Sequence, residues 1–185
     1  MSRPVLFGIA GALRAGSTNR KLIREAARLF GPAEFREANL RLPLYDGDME
    51  DAEGIPAPVA KLAAGVAASD AIVISTPEYN SMLSGVLKNA LDWVSRTEGR
   101  PFEGKPVAII SAAAGRAGGA RSQFSLRLAL TGFRPRILTG PEVMIANSRK
   151  AFDENGHLTD ERSISKLKSL MEALRVEVER LAEPV

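Results

Sequence analysis

The chain has 185 residues, 45% of them hydrophobic and 25% charged, with a formal charge of +3 and a pI near 9.4. That length suits one domain with a full core, taken here as 1–185, and the composition is that of an ordinary globular protein. With no cysteine and one histidine, it excludes disulfide scaffolds, thiolate metal sites, cysteine nucleophiles and any Ser-His triad not using His157.

In chain order, residues 5–10 form a short apolar run that predicts a buried strand. After a glycine-containing turn, Leu22, Ile23, Ala26, Ala27, Leu29 and Phe30 recur at helical spacing, with Ser17 or Thr18 as cap and Gly31-Pro32 as stop. Residues 34–38 predict a weaker strand leading into 40–44, and the acidic stretch 46–54 predicts a surface loop. A modest helix over 56–67 presents Val59, Leu62, Ala63 and Val66. Residues 71–75 are the clearest buried strand, and Val86, Leu87, Ala90, Leu91 and Val94 line a helix capped by Ser84. Residues 107–110 predict another strand. The next helix runs through Phe124, Leu128 and Leu130 and ends at Gly132. A strand at 133–139 is followed by 143–146, either its extension or a separate short strand, and the last helix carries Ile164, Leu167, Met171, Leu174 and Val178.

Short, wholly apolar strands alternating with helices predict an α/β fold whose parallel sheet is covered on both faces. Ligands of such sheets lie beyond the carboxyl ends of the strands. The loops at 11–19, 76–84 and 111–119 all follow predicted strands and should meet on that edge. Lysines and arginines are interleaved with carboxylates, as solvated helix faces are, so nucleic acid is not an expected partner. No N-terminal stretch reads as a signal peptide and no run is long enough to span a membrane, which makes the cytoplasm the expected location.

The first loop is close to a P-loop. GALRAGST has the two glycines at the right spacing and the threonine in place, but Ser17 stands where the phosphate-binding lysine belongs. That substitution argues against nucleoside triphosphate hydrolysis. The G-x-G-x-x-G dinucleotide pattern also fails, because Gly8 and Gly11 are three apart. What remains is a turn whose backbone amides open a helix, with Arg14, Ser17, Thr18 and Asn19 as further donors, suited to one terminal phosphate. A capped turn with Arg14 in solvent is an equal reading on chemistry alone. In the second loop, Pro77, Glu78, Tyr79 and Asn80 set an aromatic face beside an amide, as a planar heterocycle would need; a polar turn is the plainer reading. The third pairs Ser111 with Gly115, Gly118 and Gly119, where backbone can approach a flat ligand, or simply forms a flexible connector. Lys88 and Asp92 stand four apart and read as an ion pair, Trp93 as a packed residue whose indole finds a partner, and His157 as an incidental surface histidine.

Read together, these loops resemble the NADPH-dependent FMN reductase family of flavodoxin-like proteins, in particular its bacterial quinone/chromate reductase and azoreductase-like members. The resemblance rests on Gly11-Ala12-Leu13-Arg14 with Ser17-Thr18-Asn19, on Pro77–Asn80 followed by Ser84-Gly85-Val86-Leu87-Lys88-Asn89-Ala90-Leu91-Asp92-Trp93, on Gly118–Gln123 and on Phe152–Asp160. It implies a three-layer sandwich around a five-stranded parallel sheet of order 2-1-3-4-5. It implies noncovalent FMN, with the phosphate at Gly11, Arg14, Ser17, Thr18 and Asn19. Pro77, Glu78, Tyr79 and Asn80 would lie on one side of the ring, and Ser111, Gly115, Gly118 and Gly119 on the other. It also implies NADPH or NADH as donor and quinones, chromate, azo or nitro compounds as acceptors, a homodimer or homotetramer, and no metal or catalytic side chain in the narrow sense. A non-enzymatic FMN electron carrier is the alternative, disfavoured because short-chain flavodoxins are strongly acidic. Two positions depart from the family pattern: Ala12 replaces a serine, which predicts weaker flavin binding, and Ser84 replaces a proline.

Overall fold

The computed structural model describes residues 3–182. Strand β1 (Val5–Ala10) leads through the 11–17 turn into α1 (Thr18–Phe30), then β2 (Glu34–Glu37), α2 (Gly47–Glu53) and α3 (Ala57–Ala67). Strand β3 (Ala71–Thr76) precedes α4 (Gly85–Val94), and β4 (Pro106–Ala112) precedes α5 (Ala120–Leu130). Short segments β5 (Arg136–Ile137) and β6 (Val143–Ile145) come before the long α6 (Glu161–Ala182). The strands lie parallel in the order β2-β1-β3-β4-β5, with β6 also paired to β4. This is the flavodoxin-like order.

The fifth strand position is shared by two segments. Arg136 and Ile137 pair with Pro106 and Val107, whereas Val143–Ile145 pairs with Ile110–Ala112. The expected strand over 133–139 therefore contracts to two residues. Gly140 and Pro141 fall between the segments, and proline has no N–H for a ladder.

Every residue of β3 and β4 is buried, which is why both read as unbroken apolar runs. One sheet face packs against α1 and α6 through Leu22, Ile23, Ala26, Leu167, Leu170, Met171 and Leu174. The other packs against α3, α4 and α5 through Leu62, Val66, Leu87, Leu91, Leu126 and Leu130. Each such aliphatic side chain contributes roughly 1.5–3 kcal/mol when fully buried.

Two expectations are corrected. The 46–54 stretch is a helix rather than a loop: Asp46 caps it by accepting from Asp48 N–H at 3.0 Å, and Asp48 and Glu50 sit in its positively polarised first turn. It buries no residue, so it has no apolar stripe for periodicity to reveal. In α5 the inward line is Leu126 and Leu130, while Phe124 and Leu128 are 61% and 76% exposed. Both pairs have i,i+4 spacing, so spacing alone could not choose between them.

Candidate functional site

Register brings the loops to one edge. Ala10 pairs with Ser75, Thr76 with Ser111, and Ala112 with Ile145, so the chain leaves β1, β3, β4 and β6 side by side. Connections at the carboxyl ends of a doubly wound sheet are where such folds bind ligands.

The first turn is fixed at both ends and open in its middle. At its start, Gly11 N–H donates to Ser75 O at 2.8 Å and Ala12 N–H to Ala10 O at 2.7 Å. At its end, Ser17 caps α1, its hydroxyl oxygen accepting from Asn19 N–H at 3.2 Å. Between them, among the described residues, the amides of Leu13, Arg14, Ala15 and Gly16 have no protein acceptor. Arg14 is exposed and makes one long bond, 3.4 Å, to Gly16 O. Thr18 Oγ1 donates to Ser148 Oγ at 3.3 Å.

Asn19 has a different place from that expected. Its side chain is 2% exposed and turned inward. Nδ2 donates to Ala112 O at 2.9 Å, and Oδ1 accepts from Ala112 N–H at 3.1 Å and from Ser75 Oγ at 2.7 Å. The amide thus ties the start of α1 to the ends of β3 and β4, with a donated bond on Ala112 O and two accepted bonds on its oxygen.

The second loop is a tight hairpin. Tyr79 and Met82 exchange backbone hydrogen bonds of 3.2 and 3.1 Å, and Asn80 and Ser81 both have positive φ, 49° and 65°, as a type I′ turn requires. Tyr79 and Met82 are exposed at its tip. The Glu78 carboxylate accepts from Arg121 N–H at 3.1 Å and so satisfies an open donor of α5. Pro77 packs beside Gly11.

The third loop closes on itself. Ser111 Oγ donates to Gly118 O at 2.7 Å and accepts from Gln123 Nε2 at 2.9 Å. Gly118 has φ +60°, and a Cβ there would lie 2.7 Å from the Met144 backbone; Gly119 has φ +96° and abuts Ser111. Gly115 faces open space. Gln123 donates a second bond to Val143 O at 2.8 Å, while its Oε1 is buried without a partner among the described residues.

Three side readings from sequence hold. Lys88 and Asp92 pair at 2.7 Å. Trp93 is buried and its Nε1–H donates to Pro43 O at 2.9 Å, and Ser84 caps α4 through Leu87 N–H. Asn89 also grips the 43–45 segment, donating to Pro43 O and accepting from Tyr45 N–H.

Sequence reasoning missed Glu25. Its side chain is fully buried in α1, bonded to Arg28 by two hydrogen bonds of 2.9 Å and lying 3.0 Å from His157 Nδ1. Burial pushes its carboxyl up, but hydrogen bonds from Arg28 and His157 and the charge on both outweigh that, leaving it below the usual carboxylate value. His157 therefore docks the 152–158 hairpin on α1. A glutamate inside an apolar helical stripe was the available signal.

A cleft of about 380 Å³ lies on the β2 side of the first turn, lined by residues including Ala12, Leu13, Arg20, Glu37 and Arg41. Neither the hairpin nor the glycine loop lines it, and Glu37 is held there by Arg20 and Arg24 at 2.6 and 2.8 Å.

Comparison with known proteins agrees with this geometry. A family model described as NADPH-dependent FMN reductase matches residues 4–150. An NAD(P)H-dependent FMN reductase of Pseudomonas aeruginosa is 42% identical over 178 residues, covering 95% of this chain and 96% of the relative. A quinone reductase of Escherichia coli is 35% identical over 178 residues, covering 94% of each. The solved structure of FerB, a flavoenzyme NAD(P)H:(acceptor) oxidoreductase from Paracoccus denitrificans, superposes with a TM-score of 0.85 at 31% identity, covering 96% of this chain and 98% of the other. The chain belongs to the NADPH-dependent FMN reductase family and is an FMN-dependent NAD(P)H oxidoreductase on a flavodoxin-like fold.

Proposed function

We propose that the protein reduces quinones with NADPH or NADH through FMN held at the shared strand edge. The observation that carries this is the open run of amides at Leu13–Gly16, ahead of the α1 N-terminus and beside the exposed Arg14. Amides there and the positive end of the helix suit a phosphate dianion. Arg14 and the Ser17 hydroxyl add donors: Ser17 Oγ accepts from Asn19 N–H, which leaves its O–H free to donate, whereas the Thr18 hydroxyl is engaged with Ser148. Gly11 directs the chain out of β1, and Asn19 holds the turn from behind. When bound, the flavin supplies hydride transfer between nicotinamide and acceptor.

The chain's own residues position and shield. Pro77, Glu78, Tyr79 and Asn80 form one wall, with Tyr79 offering an aromatic face at an exposed tip. Ser111 fixes the opposite wall, in which Gly115 faces open space while Gly118 and Gly119 let the loop fold tightly onto Met144 and Ser111. No side-chain acid or base is assigned a proton. Chromate, azo and nitro compounds are further acceptors of the same open site.

We take residues 1–185 as one domain that works in the cytoplasm. Among the described residues no helix is long and apolar enough to cross a membrane. Self-association as a homodimer or homotetramer is supported by exposed Met82, Phe124 and Leu128; Leu83 N–H donates to Ser125 Oγ at 2.7 Å, bringing the hairpin against α5.

The test is spectroscopic. The purified protein should show flavin bands that bleach when NADPH or NADH is added anaerobically and recover on addition of a quinone. Bands that stay oxidised would leave an electron carrier, and no flavin after reconstitution would remove the site. Arg14→Ala should raise the FMN Kd about 10- to 100-fold, the loss of a charge-assisted contact worth about 1.5–3 kcal/mol.

A further inference from the structure

Ser84 lies 73 residues from Gly11 in sequence, yet its Oγ is 2.7 Å from the Gly11 carbonyl oxygen. The residue is 1% exposed. The same oxygen accepts from Leu87 N–H at 3.3 Å as the cap of α4. A hydroxyl has one hydrogen. With Leu87 N–H as donor to the oxygen, that hydrogen goes to Gly11 O.

The bond completes a lock on one peptide unit. The group joining Gly11 to Ala12 is planar, so its carbonyl and its N–H turn together. Ser84 holds the carbonyl, and Ala10 O holds the N–H at 2.7 Å. The preceding N–H, on Gly11, is held by Ser75 O at 2.8 Å. A Cβ at Gly11 would lie 2.9 Å from Ser84 Oγ, 3.2 Å from Leu87 Cβ and 3.3 Å from Pro77 Cδ, so α4 and Pro77 pack directly against this peptide and leave no room for a side chain. Beyond it begins the run of open amides at Leu13–Gly16.

We infer that Ser84 is a positioning residue for the phosphate-binding turn: by fixing the Gly11 carbonyl to α4, it sets the direction in which the 13–16 amides point. The inference rests on the phosphate reading of that turn given above. Ser84 contacts no ligand; it acts through Gly11.

FMN and riboflavin differ only by the phosphate, which gives a readout that a general loss of stability does not produce. Dissociation constants for both are measured on the wild type, Ser84→Ala and Ser84→Pro by flavin fluorescence. Proline is compatible with the backbone here, since Ser84 has φ −67°, and it removes the hydroxyl without freeing the chain. Loss of one buried hydrogen bond should weaken FMN binding about five- to tenfold in both variants and leave riboflavin within about twofold. Ser84→Thr, which keeps the hydroxyl, should restore the FMN value. Equal weakening of both flavins, or no change in either, would overturn the role given to Ser84. A wild type that does not prefer FMN over riboflavin would instead overturn the phosphate reading of the turn, leaving Ser84 as a helix cap.

Discussion

Asn19→Ala should be among the most destabilising polar substitutions in the chain. It removes three hydrogen bonds at once, to Ala112 O, from Ala112 N–H and from Ser75 Oγ, at 2.9, 3.1 and 2.7 Å. Each such bond contributes about 1 kcal/mol net, so their loss alone costs about 3 kcal/mol. The groups left behind are buried, Ser75 completely, and an unsatisfied buried group costs about 1–3 kcal/mol more unless water enters the vacated space. We expect about 3–4 kcal/mol in all. For a chain of this size that lowers Tm by about 6–16 °C. The assay is urea unfolding followed through Trp93, the only tryptophan, which is buried in the core. Asn19→Asp separates the contacts, because an ionised carboxylate can accept from Ser75 and from Ala112 N–H but has nothing to donate to Ala112 O. A double-mutant cycle with Ser75→Ala should show coupling of about 0.5–3 kcal/mol. A loss below about 1 kcal/mol in Asn19→Ala, with an unchanged m-value, would refute the claim that this amide ties the start of α1 to the ends of β3 and β4.

Glu25→Gln should destabilise the protein most at neutral pH. The native Glu25 carboxyl lies below its ordinary 4.5, so its contribution is present above that value and is lost as pH falls through the lowered native one; the stability gap between variant and wild type, measured by urea unfolding across pH, should close in acid. His157→Ala removes the half-exposed partner of that carboxylate and should cost about 1 kcal/mol at neutral pH in the same assay. Gly118→Ala forces a Cβ to 2.7 Å from the Met144 backbone at φ +60°, which should cost about 1–3 kcal/mol in thermal unfolding and weaken FMN and riboflavin binding alike. Ala12→Ser should tighten FMN binding about tenfold if the added hydroxyl reaches the phosphate, with the riboflavin Kd unchanged.

The fold was legible because its central strands are buried on both faces. Residues 71–76 and 106–112 carry no polar alternation that could mislead, and α1 and α6 show one apolar stripe each. The errors fall where that signal is absent or doubled: α2 has no buried side, and α5 offers two lines at the same spacing. At the site, sequence could place Ser17 as a cap and Ser84 as another, because capping is local. It could not see that Asn19, Ser75 and Ala112 converge, since those contacts span 56 and 93 residues and depend on sheet register. For the same reason the burial of Glu25 is not visible in the sequence: it depends on His157 and the 152–158 hairpin lying against α1, 132 residues away.

The buried polar groups at the strand edge imply a division of labour within the motifs. Asn19 and Ser111 are conspicuous in the sequence as candidate ligands, yet each directs its hydrogen-bonding groups into the protein, and Gln123 at the end of the third motif donates inward as well. Ser84 does the same on behalf of Gly11. On the phosphate reading proposed above, recognition falls to the 13–16 amides, Arg14 and the Ser17 hydroxyl, held in place by these inward-facing groups. Side-chain substitutions other than proline leave backbone donors in place, so such changes at the motif should divide into two kinds. Replacing the inward groups should lower stability or misdirect the turn, whereas replacing Arg14 should lower flavin affinity with little effect on folding, because that side chain is exposed and its one bond is long. A protein with no cysteine and one histidine can carry out redox chemistry on this plan because its side chains build the cradle and the cofactor supplies the reactivity.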